Sequence, residues 1–296
     1  MAIPETQLDT WAHQGSISQS SDTYNAIKKK LEASSTPFAD KSFSVFLQGS
    51  YGNDTNIYAE SDVDIVIQLA SSFQRDLEQL TESDKAAYNA AFSNATYSYA
   101  DFKRDVLKVL TDAYGDEVKA GSKAILVPAG GGRRKADVIV AMEYRKYQRF
   151  KSTYDQSYVE GIVFYTSSGR QIINYPKQHS ANLTTKHQGT GQWYKPMVRI
   201  IKNMRKKLAA DGKISSADAP SYYLEGLLYN VPNGKFGQSY GDCFCNAVNW
   251  ISGEDTSKFL CANEQYYLLR YGHDVCWSPD GFNKFFPALL ELWKNW

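Results

Sequence analysis

The chain has 296 residues, 43% of them apolar and 22% charged, a globular composition that excludes a disordered or fibrous protein. That length is enough for one large domain or two ordinary ones. Its 33 basic and 32 acidic residues leave a net charge of +1, which favours a small substrate over a long nucleic acid. Affinity for nucleic acid rises with every phosphate that a basic side chain neutralises, so strong binders usually carry a basic excess.

The N-terminal residues 1–26 lack the basic start and apolar stretch of a secretory signal peptide. No run of 18 or more apolar residues occurs, so we expect a cytoplasmic protein without a membrane segment. The four cysteines are Cys243, Cys245, Cys261 and Cys276. In such a protein cysteines are more often small buried residues than disulfides, and Cys-x-Cys, even near His273, is not the usual zinc spacing.

The first part of the chain predicts a mixed sheet with few helices. Helical structure is expected over 21–34 and over 84–114. The expected strands are 42–48, 62–69, 123–127, 136–142, 161–166 and 171–175. Glycine-rich turns predict that the last four of these strands form two hairpins.

After about residue 185 the pattern becomes helical. Residues 193–208 place Met197, Ile201, Met204 and Leu208 on one face of a helix. Further helices are expected over 220–231, 241–252, 264–271 and 280–294. The sequence therefore predicts an α+β fold, with a mixed-sheet core and N-terminal helix over 1–184 and a helical domain over 185–296.

Two carboxylates stand at the start of the second strand. Alternate residues of a strand point the same way, so Asp62 and Asp64 project from one face, roughly 6.5 Å apart. That separation suits two hard cations bridged by a phosphate. The Gly49–Ser50 turn after the preceding strand offers backbone amides and a hydroxyl to an anion. Asp-x-Asp or Gly-Ser alone usually marks only a solvated strand end or a turn.

The ordered combination is more informative than either motif. A third acid, Asp137, precedes the apolar strand residues Val138–Val140. A carboxylate at the head of a buried strand is costly unless a partner compensates it, and a shared metal ion would do so. Asp62, Asp64 and Asp137 are therefore the candidate metal ligands and catalytic residues.

The segment from Leu47-Gln48-Gly49-Ser50 through Ser61-Asp62-Val63-Asp64 resembles the polymerase-β-like nucleotidyltransferases. Within that superfamily it is most similar to the cGAS/DncV-like nucleotidyltransferases (CD-NTases) of bacterial anti-phage signalling. The residues around Asp137, with Glu143-Tyr144-Arg145, resemble the strand that carries the third carboxylate of that family. The segment Pro220–Glu225, after the helix that bears Lys202, resembles the nucleotide-clamping helices. The resemblance covers about residues 40 to 230 in the same order.

The resemblance implies roles for particular residues. Asp62 and Asp64 would hold two Mg²⁺ ions, for which Mn²⁺ can substitute, and Asp137 would hold the catalytic ion and help to activate the attacking hydroxyl. The implied substrate-binding residues are Gln48, Gly49, Ser50, Lys202, Ser221 and Tyr222. Ser50 would contact the terminal phosphates, Lys202 would neutralise their charge beside Ser221, and Tyr222 would stack on a base.

Other basic or polar residues give weaker signals. Lys195, Arg199, Lys202 and Lys206 recur at helical spacing. Apart from Lys202, we expect them to form a solvated face. Arg133 and Arg134 are expected to be exposed hairpin charges, although phosphate contact is an alternative. His179, Asn182 and Lys186, in the connection between the two domains, are further candidates for reading a base or ribose.

The function implied is template-independent joining of ribonucleoside triphosphates into a cyclic di- or trinucleotide second messenger, as in bacterial anti-phage (CBASS) signalling. Pyrophosphate would leave as a ribose hydroxyl attacks an α-phosphate. The expected partners are nucleoside triphosphates and regulatory or effector proteins, and the expected state is a monomer. Two alternatives stay open: another polymerase-β-like transferase, which tails RNA or nucleotidylates a small molecule or protein, and a catalytically inactive scaffold.

Overall fold

The computed structural model describes residues 2–15, 17–58, 62–273 and 275–296. Contacts group the chain into two units. The sheet unit comprises Ser18–Gln48 and Ser61–Pro176, and the helical unit comprises Met1–Ile17, Gly49–Glu60 and Lys177–Trp296. The division expected from the sequence, 1–184 and 185–296, differs because the first helix and the segment after Gln48 group with the C-terminal helices rather than with the sheet.

The sheet unit contains seven strands among the described residues. They are β1 (Phe43–Leu47), β2 (Val63–Asp76), β3 (Lys119–Ala120), β4 (Ile125–Val127), β5 (Ala136–Ser152), β6 (Asp155–Tyr165) and β7 (Gln171–Asn174). Strand β2 lies antiparallel to β1 and parallel to β5, while β5 also pairs antiparallel with β4 and β6. Strand β7 pairs with β6, and β3 with β4. Both expected hairpins are present, and β5 is far longer than its predicted part.

Among the described residues, three helices belong to the sheet unit. They are α2 (Ser18–Leu31), α4 (Glu82–Ala91) and α5 (Tyr99–Tyr114). The single helical stretch expected over 84–114 is wrong, because the backbone is extended at Phe92 and a new helix begins after Ser98. The Ser98 hydroxyl accepts a hydrogen bond from the Asp101 amide, and the Asp101 side chain accepts one from the Ser98 amide. This capping box satisfies amides that have no partner inside the helix.

The remaining helices lie in the helical unit, with α6 beginning at its border. They are α1 (Glu5–Ala12), α3 (Gly49–Gly52), α6 (Pro176–Gly189), α7 (Tyr194–Ala210), α8 (Ser221–Asn230), α9 (Tyr240–Gly253) and α10 (Pro279–Lys294). As predicted, α7 buries Met197, Ile201, Met204 and Leu208. They join one apolar core with side chains such as Phe244, Trp277 and Phe285.

One prediction about this unit is wrong, and two of its helices were not predicted. Residues 264–271 form no helix; isolated β-bridges pair Leu260 with Tyr267 and Leu269 with Trp277. Helices α1 and α6 were not expected, since α6 is nearly without an apolar face and buries His179 and Leu183. In the parts of the chain that the structure describes, no helix is long and apolar enough to cross a membrane.

Candidate active site

The central feature of the sheet unit is a pair of acids on neighbouring strands. Strand β2 runs parallel to β5 in a register that pairs Asp64 with Asp137. Adjacent strands lie about 4.8 Å apart, and paired residues direct their side chains to the same face of a sheet. Asp62 immediately precedes β2, and all three acids are partly exposed. The parallel pairing therefore brings together Asp64 and Asp137, which are 73 positions apart in the chain.

Gln48 lies beside one of these acids, Asp64. It follows β1, whose last residue Leu47 pairs with Ile65, and its backbone amide donates to the Asp64 carbonyl oxygen at 2.9 Å. The ladder thus continues one residue beyond β1, to the point where the chain turns into Gly49. Gln48 therefore contacts Asp64 through its backbone amide.

A lysine stands among the three acids. The Nζ of Lys135 donates to Oδ2 of Asp62 at 2.7 Å. This hydrogen bond raises the pKa of Lys135; partial burial opposes the change, and the charges of Asp137, Asp62 and Asp64 reinforce it. The negative charges of the three carboxylates therefore already act together on one cation, the Lys135 ammonium. Carboxylate oxygens are also the ligands that Mg²⁺ and Mn²⁺ prefer.

The acids fit a divalent ion in chemistry and register. Within the described ranges, however, no three carboxylate, imidazole or thiol groups already form a metal-binding cluster. A metal ion at Asp62 would compete with the Lys135 ammonium, because Lys135 already binds Oδ2 of the same carboxylate. The four cysteines are free thiols, and burial raises the pKa of Cys243 to about 11 and that of Cys261 to about 12.

The Gly49–Ser50 turn belongs to the helical unit. Gly49 has a φ of 68°, in the left-handed region that favours glycine, and it begins the four-residue helix α3. The Asn53 amide donates to the Gly49 carbonyl at 3.1 Å, and the Thr55 amide donates to the Ser50 carbonyl at 2.9 Å. Ser50 is partly exposed. The turn is thus closed by residues just after it.

Basic residues of helix α7 bind the segment that follows the Gly49–Ser50 turn. The Nζ of Lys195 donates to Oδ2 of Asp54 at 2.9 Å, Arg199 donates to the Asp54 carbonyl at 2.6 Å, and Lys202 donates to the Thr55 carbonyl at 2.8 Å. Lys202 is fully buried and Lys195 nearly so.

Lys206, further along α7, donates to the Tyr58 carbonyl at 3.3 Å. The expectation of a solvated face is therefore wrong for Lys195, which is buried, and for Arg199, which is partly buried; only Lys206 is exposed. These four basic side chains of α7 lie along the segment 54–58, and the carbonyls of that segment and the Asp54 carboxylate compensate their positive charges.

Ser221 and Tyr222 begin helix α8. Arg205 of α7 approaches the Ser221 hydroxyl, with Nη2 at 3.4 Å from Oγ. The ring of Tyr222 stacks on His179 with centroids 4.5 Å apart and planes 19° apart, and its hydroxyl accepts from Asn263 at 2.9 Å. Burial raises the pKa of Tyr222 well above its usual value, so the hydroxyl stays protonated.

The other candidates occupy structural positions. Arg134 donates from Nε to the Gln19 side chain at 3.2 Å, and the Arg133 guanidinium lies 4.2 Å from the Tyr114 ring centroid. Both are partly buried rather than exposed. In α6, Asn182 donates to the Ala262 carbonyl and Lys186 to the Val231 carbonyl. Burial lowers the pKa of Lys186 to about 8.

Comparison with known proteins places the chain in a family. Residues 181–294 match the cGAS/DncV-like nucleotidyltransferase C-terminal helical domain. A cyclic UMP-AMP synthase of Rhodothermus marinus (strain SG0.5JP17-172) is 40% identical over 298 residues, covering 100% of this chain and 99% of that protein. This chain belongs to the cGAS/DncV-like nucleotidyltransferase family.

Other CD-NTases support the assignment. Cyclic nucleotide synthase CdnE01 of Staphylococcus haemolyticus is 36% identical over 309 residues, covering 100% of both chains. The structure of Rhodothermus marinus CdnE c-UMP-AMP synthase with Apcpp and Upnpp matches with a TM-score of 0.89, covering 99% of this chain and 97% of that one. The predicted family and α+β fold class are confirmed, and the chain is a nucleotidyltransferase.

Sequence reasoning missed two charged residues of this CD-NTase. Lys135 gave no signal, because only the parallel pairing of β2 with β5 brings it to Asp62. Glu225 did give one, since it is a lone charge between Leu224 and Gly226-Leu227-Leu228, in a helix whose neighbouring positions are buried. A charge inside an apolar helical run is rarely buried without partners.

Proposed function

We propose that this CD-NTase joins two nucleoside triphosphates into a cyclic dinucleotide second messenger, without a template, and that UTP and ATP are its substrates. The placement of Asp64 beside Asp137 on parallel strands is the observation that supports catalysis most directly. The substrate pair is carried over from the cyclic UMP-AMP synthase, which is 40% identical along the whole chain. Other relatives are named for dipurine and dipyrimidine products, so the choice of the two substrate bases is the first property to test.

The carboxylates of Asp62, Asp64 and Asp137 are the proposed holders of two Mg²⁺ ions, with Mn²⁺ as a substitute. Bound there, the ions supply Lewis-acid stabilisation of the phosphoryl oxygens and of the leaving pyrophosphate. The three acids would hold the ions, and Asp137 would help to activate the attacking ribose hydroxyl by accepting its proton. In the reaction, that oxygen bonds to an α-phosphorus, the bond from phosphorus to pyrophosphate breaks, and the hydroxyl proton passes to Asp137 and from there to water.

The helical unit supplies the proposed nucleotide contacts. The Gly49–Ser50 turn offers amides and a hydroxyl to the phosphates, next to Gln48, because glycine lets a phosphate approach the backbone closely. Lys202 places positive charge beside the segment that follows this turn. Ser221 lies at the N-terminus of α8, which favours an anion, and Tyr222 offers a ring for stacking on a base.

The biological setting is also a proposal. As a member of this family the protein would act in bacterial anti-phage signalling, as a cytoplasmic monomer whose product binds an effector protein. A regulatory partner would set when it is active. These statements rest on family membership.

The deciding experiment is incubation of the purified protein with labelled ribonucleoside triphosphates, singly and in pairs, with Mg²⁺ or Mn²⁺. A phosphatase-resistant product that requires both UTP and ATP is expected, together with release of pyrophosphate. A cyclic product from another pair would correct the substrates alone. Long ladders on added RNA, or no turnover of any nucleotide, would contradict the proposed synthesis of a cyclic product.

A further inference from the structure

One carboxylate lies at the centre of the helical unit without a role in the reaction described above. Glu225, in the middle of α8, is 2% exposed. Its carboxylate accepts hydrogen bonds from the Thr55 hydroxyl at 2.5 Å, from Nε2 of His179 at 2.8 Å and from Nδ2 of Asn53 at 3.2 Å. The Nζ of Lys202 lies 3.9 Å from Oε1.

The electrostatics favour an ionised Glu225. Burial alone would raise its pKa, but the hydrogen bond and charge of His179, then the charge of Lys202 and the Thr55 hydroxyl, hold it below the usual value. A buried carboxylate with three donors and a nearby ammonium is fully compensated, whereas loss of one partner leaves buried charge unpaired. The geometry of the partners is therefore strongly constrained.

One arm of this network reaches the Gly49–Ser50 turn, which is proposed to bind the phosphates. Asn53 and Thr55 bind Glu225 through their side chains, and their backbone amides donate to the Gly49 and Ser50 carbonyls. Lys202, from α7, binds the Thr55 carbonyl at 2.8 Å. The path from the carboxylate to the Gly49–Ser50 turn thus passes through a single residue on each branch, with no long flexible side chain between them.

The second arm reaches the aromatic ring proposed to stack on a base. His179 binds Glu225 through Nε2 and stacks on Tyr222. The hydrogen bond from Nε2 to Glu225 and the stacking contact with Tyr222 together allow only one orientation of the His179 ring. Holding Nε2 on Glu225 therefore also fixes the ring face against which Tyr222 packs. Tyr222 is only three residues before Glu225 in α8, so the arm closes on its own helix.

We propose that Glu225 is a positioning residue for nucleotide binding, which holds the Gly49–Ser50 turn and the Tyr222 ring at fixed places within the helical unit. The inference rests on the proposed function, which assigns the turn to phosphates and the ring to a base. In this proposal Glu225 itself would touch neither ligand. It acts through Asn53 and Thr55 on one side and through His179 on the other.

The test compares nucleotide affinity with stability. Thr55→Val removes the hydroxyl that binds Glu225 but keeps the size of the side chain, and Thr55→Ser keeps the hydroxyl. Glu225→Gln removes the charge that both arms share. KM and kcat for product formation are measured together with the dissociation constants of an unreactive triphosphate analogue and of the matching nucleoside, alongside thermal unfolding.

We expect Thr55→Val to raise the triphosphate KM by about tenfold or more, as for loss of one hydrogen bond to a charged group. Its kcat at saturation and its nucleoside affinity should change far less, because the ring arm is intact. Thr55→Ser should restore most of the lost affinity. Glu225→Gln should weaken binding of both the triphosphate analogue and the nucleoside, since both arms are affected.

The matched control is Asp84→Asn in the sheet unit. Asp84 is also buried, 5% exposed, and accepts from Lys151 at 2.6 Å. It should lower thermal stability without a change in triphosphate KM. Glu225→Gln and Thr55→Val enzymes with wild-type affinities, or with losses matching those of Asp84→Asn, would overturn the inference. If Glu225→Gln does not fold, the Thr55 pair decides alone. A wild-type protein that turns over no nucleotide would refute the proposed function, and this inference with it.

Discussion

Asp64 and Asp137 occupy paired positions on two parallel strands, one residue beyond the pairing of Val63 with Ala136. Residues paired in this way project to the same face, about one strand spacing apart. Asp62 precedes Asp64 by two residues and stands just before β2, so strand alternation continued by one residue would direct it to that face as well. The catalytic proposal depends on this relationship, because no single segment of the chain carries all three acids.

Replacing either paired acid should abolish most activity. We expect Asp64→Asn and Asp137→Asn each to lower kcat by at least about 100-fold, since the amide keeps the shape but loses the charge that binds a metal ion. Pyrophosphate release measures the effect. Asp76→Asn, at the other end of β2, serves as the control because Asp76 accepts a hydrogen bond from the Glu78 amide and stands at the opposite end of the strand from the three acids. Activity of the Asp137 variant near that of the control would remove Asp137 from the site.

Removing the lysine among the acids should strengthen metal binding. Lys135 binds Asp62 at 2.7 Å, and both side chains are 39% exposed, so the ion pair is screened and weak. We expect Lys135→Met to lower the Mn²⁺ concentration needed for half-maximal binding by about two- to fivefold. Titration followed by electron paramagnetic resonance checks this. Weaker metal binding would show that Lys135 supports the acids instead of competing for them.

Two lysines of helix α7 should differ sharply in their effect on stability. Lys202 is fully buried beside Glu225, so Lys202→Met leaves a buried carboxylate short of a partner and should destabilise the fold by about 3–5 kcal/mol. Lys206 is exposed, so Lys206→Met should change the free energy of unfolding by only about 0.5 kcal/mol. Urea unfolding of both variants compares them directly, and equal effects would contradict the buried pair.

The Glu225 network predicts a dependence of stability on pH. The pKa of Glu225 in the fold lies below its ordinary value of 4.5. Such a group stabilises the fold above that value, and its contribution disappears as the pH falls through the folded pKa. The difference in unfolding free energy between wild type and Glu225→Gln should therefore be largest near neutral pH and shrink below 4.5. A difference that stays constant down to about pH 3 would mean that Glu225 is not ionised in the fold.

Local patterns were sufficient for much of this protein. The strand that carries Asp64 and the apolar face of α7 are properties of short segments, and both are present as predicted. The Gly49–Ser50 segment, predicted as a turn, begins the short helix α3. The stretch 264–271 was wrongly predicted to be helical, because isolated β-bridges pair its Tyr267 and Leu269 with Leu260 and Trp277, which lie outside the stretch. The break between α4 and α5 was missed because it depends on the cap at Ser98.

The sequence by itself determined the family, the α+β fold class and the identity of the candidate acids, because these depend on ordered motifs and on short-range periodicity. Only the tertiary structure decided which charges meet. Lys135 reaches Asp62 through the pairing of β2 with β5, and Lys202 and His179 reach Glu225 through the packing of α6, α7 and α8. Such pairings join residues that are distant in the chain, and no local pattern records whether a charged side chain will face water or a partner.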